Sequence, residues 1–215
     1  MDAVERHNYL QKMGIQVWSC RQPSEHPELD AELETIREQV AVCTLCSLNE
    51  SRTQTVFGAG NPQADWMFVG EAPGFEEDRQ GLPFVGRAGQ LLNAMLFALG
   101  LQREQVYIAN VLKCRPPNNR DPMGTEVLHC EPYLHRQVKL IQPKLIVAMG
   151  RFAAQSLLKT TRSIGELRKQ RFQYGDTNIP LLVTYHPAYL LRSPLEKGKA
   201  WEDMCMALEI MENQA

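Results

Sequence analysis

Residues 66–100 read WMFVGEAPGFEEDRQGLPFVGRAGQLLNAMLFALG. The opening run, Trp66–Gly70, is apolar throughout, too short for a helix and closed by glycine, which fits a strand buried on both faces. An acidic loop with a glycine turn follows, and then Arg87–Leu99 carries an amphipathic helical pattern that stops at Gly100. The same alternation recurs outward from this stretch. Gln105–Asn110, Lys144–Met149 and Pro180–Tyr185 are further candidate strands, while Met123–Ile141 and Arg151–Leu158 are candidate helices. Strands separated by helices predict a parallel sheet covered on both faces, an α/β sandwich. Ligands of such sheets bind beyond the carboxyl ends of the strands, so the loops after Gly70, Asn110, Gly150 and Tyr185 are where chemistry is expected. No internal repeat is evident.

At 215 residues the chain has room for one well-buried domain and a short appendage. Its composition, 44% hydrophobic and 22% charged, excludes a disordered, collagen-like or disulfide-scaffold chain. The longest apolar runs fall far short of the ~20 residues that span a bilayer, and MDAVERHNYLQ has no signal-peptide core. A soluble, cytoplasmic protein without membrane contact is expected. The net charge of −2 gives no global reason to expect nucleic acid. Charge is nevertheless uneven: Glu25, Glu28, Asp30, Glu32, Glu34 and Glu38 face only Arg37, whereas bases gather at residues 159–171 and 192–199. These features divide the chain into an apolar segment over 1–21, an acidic, proline-containing linker over 22–31 and a domain over 32–215.

Six cysteines, at 20, 43, 46, 114, 130 and 205, lie in a chain with no sign of secretion. Structural disulfides explain them poorly, and metal ligation explains them better. Cys43-x2-Cys46 with Cys114 and Cys130 would make a four-thiolate site, suited to zinc or to an iron–sulfur cluster. A zinc ribbon would show two close pairs; here the third and fourth thiols are dispersed. Spacing alone leaves both metals open.

The loop after Gly70 carries too many acids to cradle a phosphate, which leaves a base or sugar pocket. His186, just past a strand and followed by proline, is the other candidate for chemistry. The motifs GEAPG, FVGRAGQLL, NVLKCRPP and HPAYLLR, with the four cysteines in that order, resemble the family 4 uracil-DNA glycosylases that carry a four-iron cluster. The resemblance runs from about Val42 to Leu208. It implies a three-layer α/β/α sandwich with a four-stranded parallel sheet, and a [4Fe-4S] cluster on Cys43, Cys46, Cys114 and Cys130. It also implies hydrolysis of the N-glycosidic bond of uracil in single- and double-stranded DNA, the first step of base excision repair; a monomer is expected.

The site implied by the resemblance draws on all these loops. Phe84 stacks on a flipped uracil and Asn110 pairs with its Watson–Crick edge, an amide that offers a donor and an acceptor. Glu71 orders the pocket and helps exclude the thymine methyl. His186, with main-chain amides near Ala72, stabilises the leaving uracil anion. The best-known branch of the superfamily has a water-positioning Asp where this chain has Ala72, so Glu77 is the nearest replacement; Gly74 stands where an aromatic is used elsewhere. The cluster is expected to be structural, presenting Asn118, Asn119 and Arg120 to the DNA backbone. Leu190 or Leu191 is the expected wedge and Arg192 a phosphate contact. A non-catalytic metal-bearing adaptor on the same fold is the alternative.

Residues before the linker lie outside this resemblance. Tyr9, Leu10, Met13, Ile15, Val17 and Trp18 make the segment too apolar for an idle tail, and packing on the domain is its simplest fate. The stretch LQKMGIQVWSCRQP also resembles the N-terminal peptide of the psi subunit of bacterial DNA polymerase III. That likeness implies binding to the clamp-loader collar through residues 6–23, with Ile15 and Trp18 as anchors.

Overall fold

The computed structural model describes residues 26–214. The expected recognition segment, with Ile15 and Trp18, and residues 22–25 of the expected linker lie outside them. The rest of that linker is helical: Pro27 opens α1 (Pro27–Ala41). Proline at a first helical position has no amide to leave unpaired, Glu28 and Asp30 favour the positive helix end, and Leu33, Ile36 and Val40 form its buried stripe. The acids of residues 28–38 are thus a helical surface packed on the domain, not a tether.

The chain continues through α2 (Leu48–Ser51), β1 (Ala59–Gly60), β2 (Trp66–Gly70), α3 (Phe75–Gln80), α4 (Arg87–Ala98), β3 (Tyr107–Asn110) and α5 (Gly124–Ile141). It closes with β4 (Leu145–Met149), α6 (Arg151–Leu158), α7 (Ile164–Leu167), β5 (Arg171–Gln173), β6 (Pro180–Thr184), α8 (Pro187–Arg192) and α9 (Lys197–Glu212). Strand order is β1-β3-β2-β4-β6-β5. The four central strands are the expected ones and pair in parallel, Val69 opposite Ala109 and Ala148, and Ala148 opposite Val183. Two short antiparallel strands, β1 on β3 and β5 on β6, extend the sheet to six. Gln105, expected to open β3, instead ends a 3-10 turn in which its side-chain oxygen accepts the Gln102 amide at 2.7 Å.

Successive residues of the central strands enter opposite cores, as a period of two requires. Met67, Val69, Ala109 and Ile146 pack with Leu33, Val138 and Leu157 beneath α1, α5 and α6. Trp66, Phe68, Ile108 and Val147 pack with Leu92, Met204 and Ile210 beneath α4 and α9. The result is a three-layer α/β/α sandwich. Each fully buried side chain of this kind contributes roughly 1.5–3 kcal/mol, and the rigid sheet sets the carboxyl ends of β2, β3, β4 and β6 along one edge. No helix of the described residues is long and apolar enough to cross a membrane.

Candidate active site and cysteine cavity

A cavity of about 390 Å³ opens along that edge, lined by Glu71, Ala72, Gly74, Glu77, Phe84, Asn110 and His186 among others. Every residue expected to hold the base or perform chemistry is thus in one place. Asn110 ends β3, and its Oδ1 is buried without a hydrogen-bond partner among the described residues. A buried acceptor left open costs about 1–3 kcal/mol, which marks it as a ligand-facing atom. Gly70, the last residue of β2, is what admits it: a Cβ there would lie 2.4 Å from Asn110 Oδ1 and 2.6 Å from Phe84 Cζ.

Phe84 sits on a left-handed backbone, φ 51°, a conformation that costs a non-glycine residue about 1–2 kcal/mol and persists only when clamped. The clamp is visible. Arg103 donates to the carbonyls of Pro83 and Phe84 and to Asn93 Oδ1. From the other side Glu77 Oε1 accepts the amides of Val85 at 2.9 Å and Gly86 at 3.0 Å. Glu77, expected as a water-orienting carboxylate, therefore has one oxygen committed to holding the Phe84 turn; Oε2 lies on the Gly74 side of the cavity. Arg103 carried no signal in the sequence, because its partners are backbone carbonyls about 20 residues away.

His186 caps α8, its Nδ1 accepting the Ala188 amide at 3.1 Å. The neutral ring then carries its proton on Nε2, a donor. Its ring lies 5.5 Å from that of Phe84, tilted 32°. Desolvation, with the Arg192 charge, pushes His186 down to about 4 against a weaker opposing effect of Glu77. It is neutral at physiological pH. Close approach is possible because Gly150, at φ +93°, has no Cβ; one would stand 2.9 Å from His186 Cβ. Glu71 is pushed up to about 7, first by desolvation and then by Asp121, with Arg151 opposing. Asp121 and Arg151 pair at 3.2 Å.

At the mouth, Asn119, Arg120, Tyr189 and Arg192 line the cavity, and Asn118 is exposed beside them. Arg120, expected on the DNA backbone, directs its guanidinium to the buried Glu126, with one contact at 2.9 Å, and so braces the loop. Leu190 is corrected as a wedge candidate: Pro187 starts a helix, and Pro187 and Leu190 share its buried face. Leu191 is half-exposed and Arg192 exposed. The basic residues of 159–199 are largely neutralised in place. Lys159, Lys169, Arg171 and Lys199 face Glu131, Glu202, Glu209 and Glu196. Arg168 is buried against Asp203 at 2.7 Å.

The four expected thiols, Cys43, Cys46, Cys114 and Cys130, line a single cavity between α1, α2 and α5, and none forms a disulfide. Arg52 Nη1 donates to Cys114 Sγ at 3.1 Å and the Lys113 amide to Cys130 Sγ at 3.1 Å. Among the described residues no group of three or more His, Cys, Asp or Glu side chains is arranged to hold a metal ion.

A family model for the uracil DNA glycosylase superfamily matches residues 57–205. The Type-4 uracil-DNA glycosylase of Sulfurisphaera tokodaii is 47% identical over 169 residues, 75% of this chain and 77% of that protein. Similar proteins bearing the same description occur in Archaeoglobus fulgidus, 46% identical over 168 residues (75% of this chain, 84% of that protein), and in Thermotoga maritima, 45% over 164 (75% and 84%).

Proposed function

Because the chain belongs to the uracil-DNA glycosylase superfamily, we propose that the cavity at the sheet edge takes a uracil flipped out of DNA. The protein is a uracil-DNA glycosylase, a hydrolase of N-glycosyl bonds that begins base excision repair. The unpartnered Asn110 Oδ1 supports the base reading most directly. It would accept the uracil N3–H, while the amide nitrogen donates to O4; cytosine would present its amine to that donor. Phe84 supplies the stacking face. Glu71 orders the loop beside it and helps exclude the thymine methyl. Rupture of the C1′–N1 bond leaves its electron pair on uracil, as an anion, and a cationic sugar. Neutral His186 donates from Nε2 to O2 of that anion, together with amides near Ala72. Water adds at C1′ and its proton passes to solvent; Glu77 Oε2, on the Gly74 side of the cavity, would orient that water. Incubation with uracil-containing single- and double-stranded DNA, followed by alkaline cleavage at abasic sites, tests the reading. Intact strands from both substrates would refute it.

The cysteine cavity fits a [4Fe-4S] cluster on Cys43, Cys46, Cys114 and Cys130. Two sulfurs already accept N–H donors, as thiolates would, and four cysteines drawn from dispersed parts of the chain onto one cavity are a donor set of the kind that holds such a cluster. Its contribution when bound is structural: it ties the segment after α1 to the loop after β3. Purified protein should be brown, and Cys114→Ala should lose both colour and solubility. Stoichiometric zinc without iron, after anaerobic preparation, would contradict the assignment.

Leu191 is the wedge that remains once Leu190 is assigned to the core, with Arg192, Asn118 and Asn119 as backbone contacts. Leu191→Ala should slow excision from duplexes more than from single strands, since only the duplex leaves a gap to fill. Equal losses on both substrates would make it a packing residue. For the segment beyond the described residues we retain the clamp-loader reading, in a cytoplasmic, nucleoid-associated monomer. Trp18→Ala should abolish pull-down of the collar and leave glycosylase turnover unchanged; wild-type protein that shows no binding at micromolar concentrations would remove this partner.

A further inference from the structure

Lys113 is fully enclosed and lines the cysteine cavity, and no step above uses it. Its Nζ donates to the backbone carbonyl of Asn110 at 2.9 Å and to Gln137 Oε1 at 2.6 Å. Gln137 is held in turn, its Nε2 donating to the Phe57 carbonyl at 3.0 Å and to Tyr107 Oη at 3.1 Å. On the other side the Lys113 amide donates to Cys130 Sγ at 3.1 Å, and Cys114 is the next residue. One residue therefore touches the expected uracil reader and sits among the expected cluster ligands.

A buried ammonium without a counter-charge is costly. None of the ion pairs among the described residues includes Lys113. The Phe57 ring, 6.0 Å from Nζ, adds a weaker attraction. A neutral side chain would fill the space without that desolvation cost. What the ammonium adds is a charge-assisted anchor, about twice as strong as a neutral one, on a single peptide plane. The carbonyl of the Asn110–Val111 peptide is held by Lys113, and its N–H donates to the Gly70 carbonyl at 3.0 Å. With both ends fixed, the direction in which Asn110 projects its side chain is fixed too.

We propose that Lys113 is a positioning residue for uracil recognition, locking the Asn110–Val111 peptide so that Asn110 Oδ1 meets the uracil imide. The inference rests on the uracil reading of the cavity. Its test is calorimetric binding of free uracil to the full chain, with iron per chain and visible absorbance measured on each preparation. Lys113→Met should weaken uracil binding and lower kcat by roughly ten- to a hundredfold, the range for losing one charged hydrogen bond, with KM for DNA little changed. Because Lys113 acts through Asn110, Lys113→Met combined with Asn110→Ala should bind uracil no worse than Asn110→Ala alone. Additive losses, or a loss that only tracks missing iron, overturn the positioning role. If Lys113→Met does not fold, Gln137→Leu removes one acceptor of the ammonium and should weaken uracil binding in the same direction; unchanged affinity overturns the proposal. Undiminished uracil binding by Asn110→Ala would instead remove the uracil reading itself.

Discussion

Replacement of His186 by alanine should slow uracil excision by about 10²–10³-fold, the effect of losing one oxyanion donor, with DNA binding nearly intact. The size follows from the setting. Nδ1 is already taken by the Ala188 amide, so the ring has one proton to offer and one direction in which to offer it. The ring is half-buried beside Phe84, and a base stacked there would keep water from competing. Single-turnover rates on uracil DNA decide the matter, and a near-wild-type rate would exclude His186 as a main contributor. The same residue has a pH signature. Folded His186 protonates near 4, below its ordinary value of 6.5, so the unfolded chain binds the proton first as the medium is acidified. Stability associated with the neutral ring is present above about 6.5 and is lost as pH falls through about 4. His186→Ala should flatten that part of the melting-temperature profile, whatever the carboxylates contribute below it.

The four central strands were readable because a buried parallel strand is a bare apolar run, and Trp66–Gly70 or Leu145–Met149 can be little else. The edge strands were not: Ala59–Gly60 is two residues long, and Arg171–Gln173 carries polar residues at both ends. α1 was hidden by its acids and prolines, although Leu33, Ile36 and Val40 recur at helical spacing. Likewise, the wedge candidates Leu190 and Leu191 separate once Pro187 is recognised as a helix start, since Leu190 then falls three residues on, along the same buried face. Phe84, Asn110 and His186 stood out because each belongs to a motif at a strand end or loop. Arg103, Gln137 and the Arg168–Asp203 pair gave no such sign: their partners lie 10 to 80 residues away and are met only after folding. Local pattern locates groups that act on a ligand; the groups that hold them are placed by topology.

That distinction is sharpest at Gly70, where Gly70→Ala should reduce uracil affinity and excision by at least about a hundredfold with a modest loss of stability. The added Cβ would stand 2.4 Å from Asn110 Oδ1, 2.6 Å from Phe84 Cζ and 2.8 Å from Phe84 Cε2, all well inside contact distance. Phe84 has little freedom to recede, because Arg103 grips its carbonyl and Glu77 grips the two following amides. Asn110 is fixed through its own peptide by Lys113 and by the Gly70 carbonyl. The methyl group must therefore twist the amide away from its reading position or tilt the ring out of the stacking plane. Overpacking at one such point costs about 1–3 kcal/mol of stability, which a sheet buried on both faces can absorb. Excision kinetics, free-uracil calorimetry and thermal melting on one preparation separate the two effects. A folded Gly70→Ala protein that binds uracil normally would show that the base does not lie between Asn110 and Phe84.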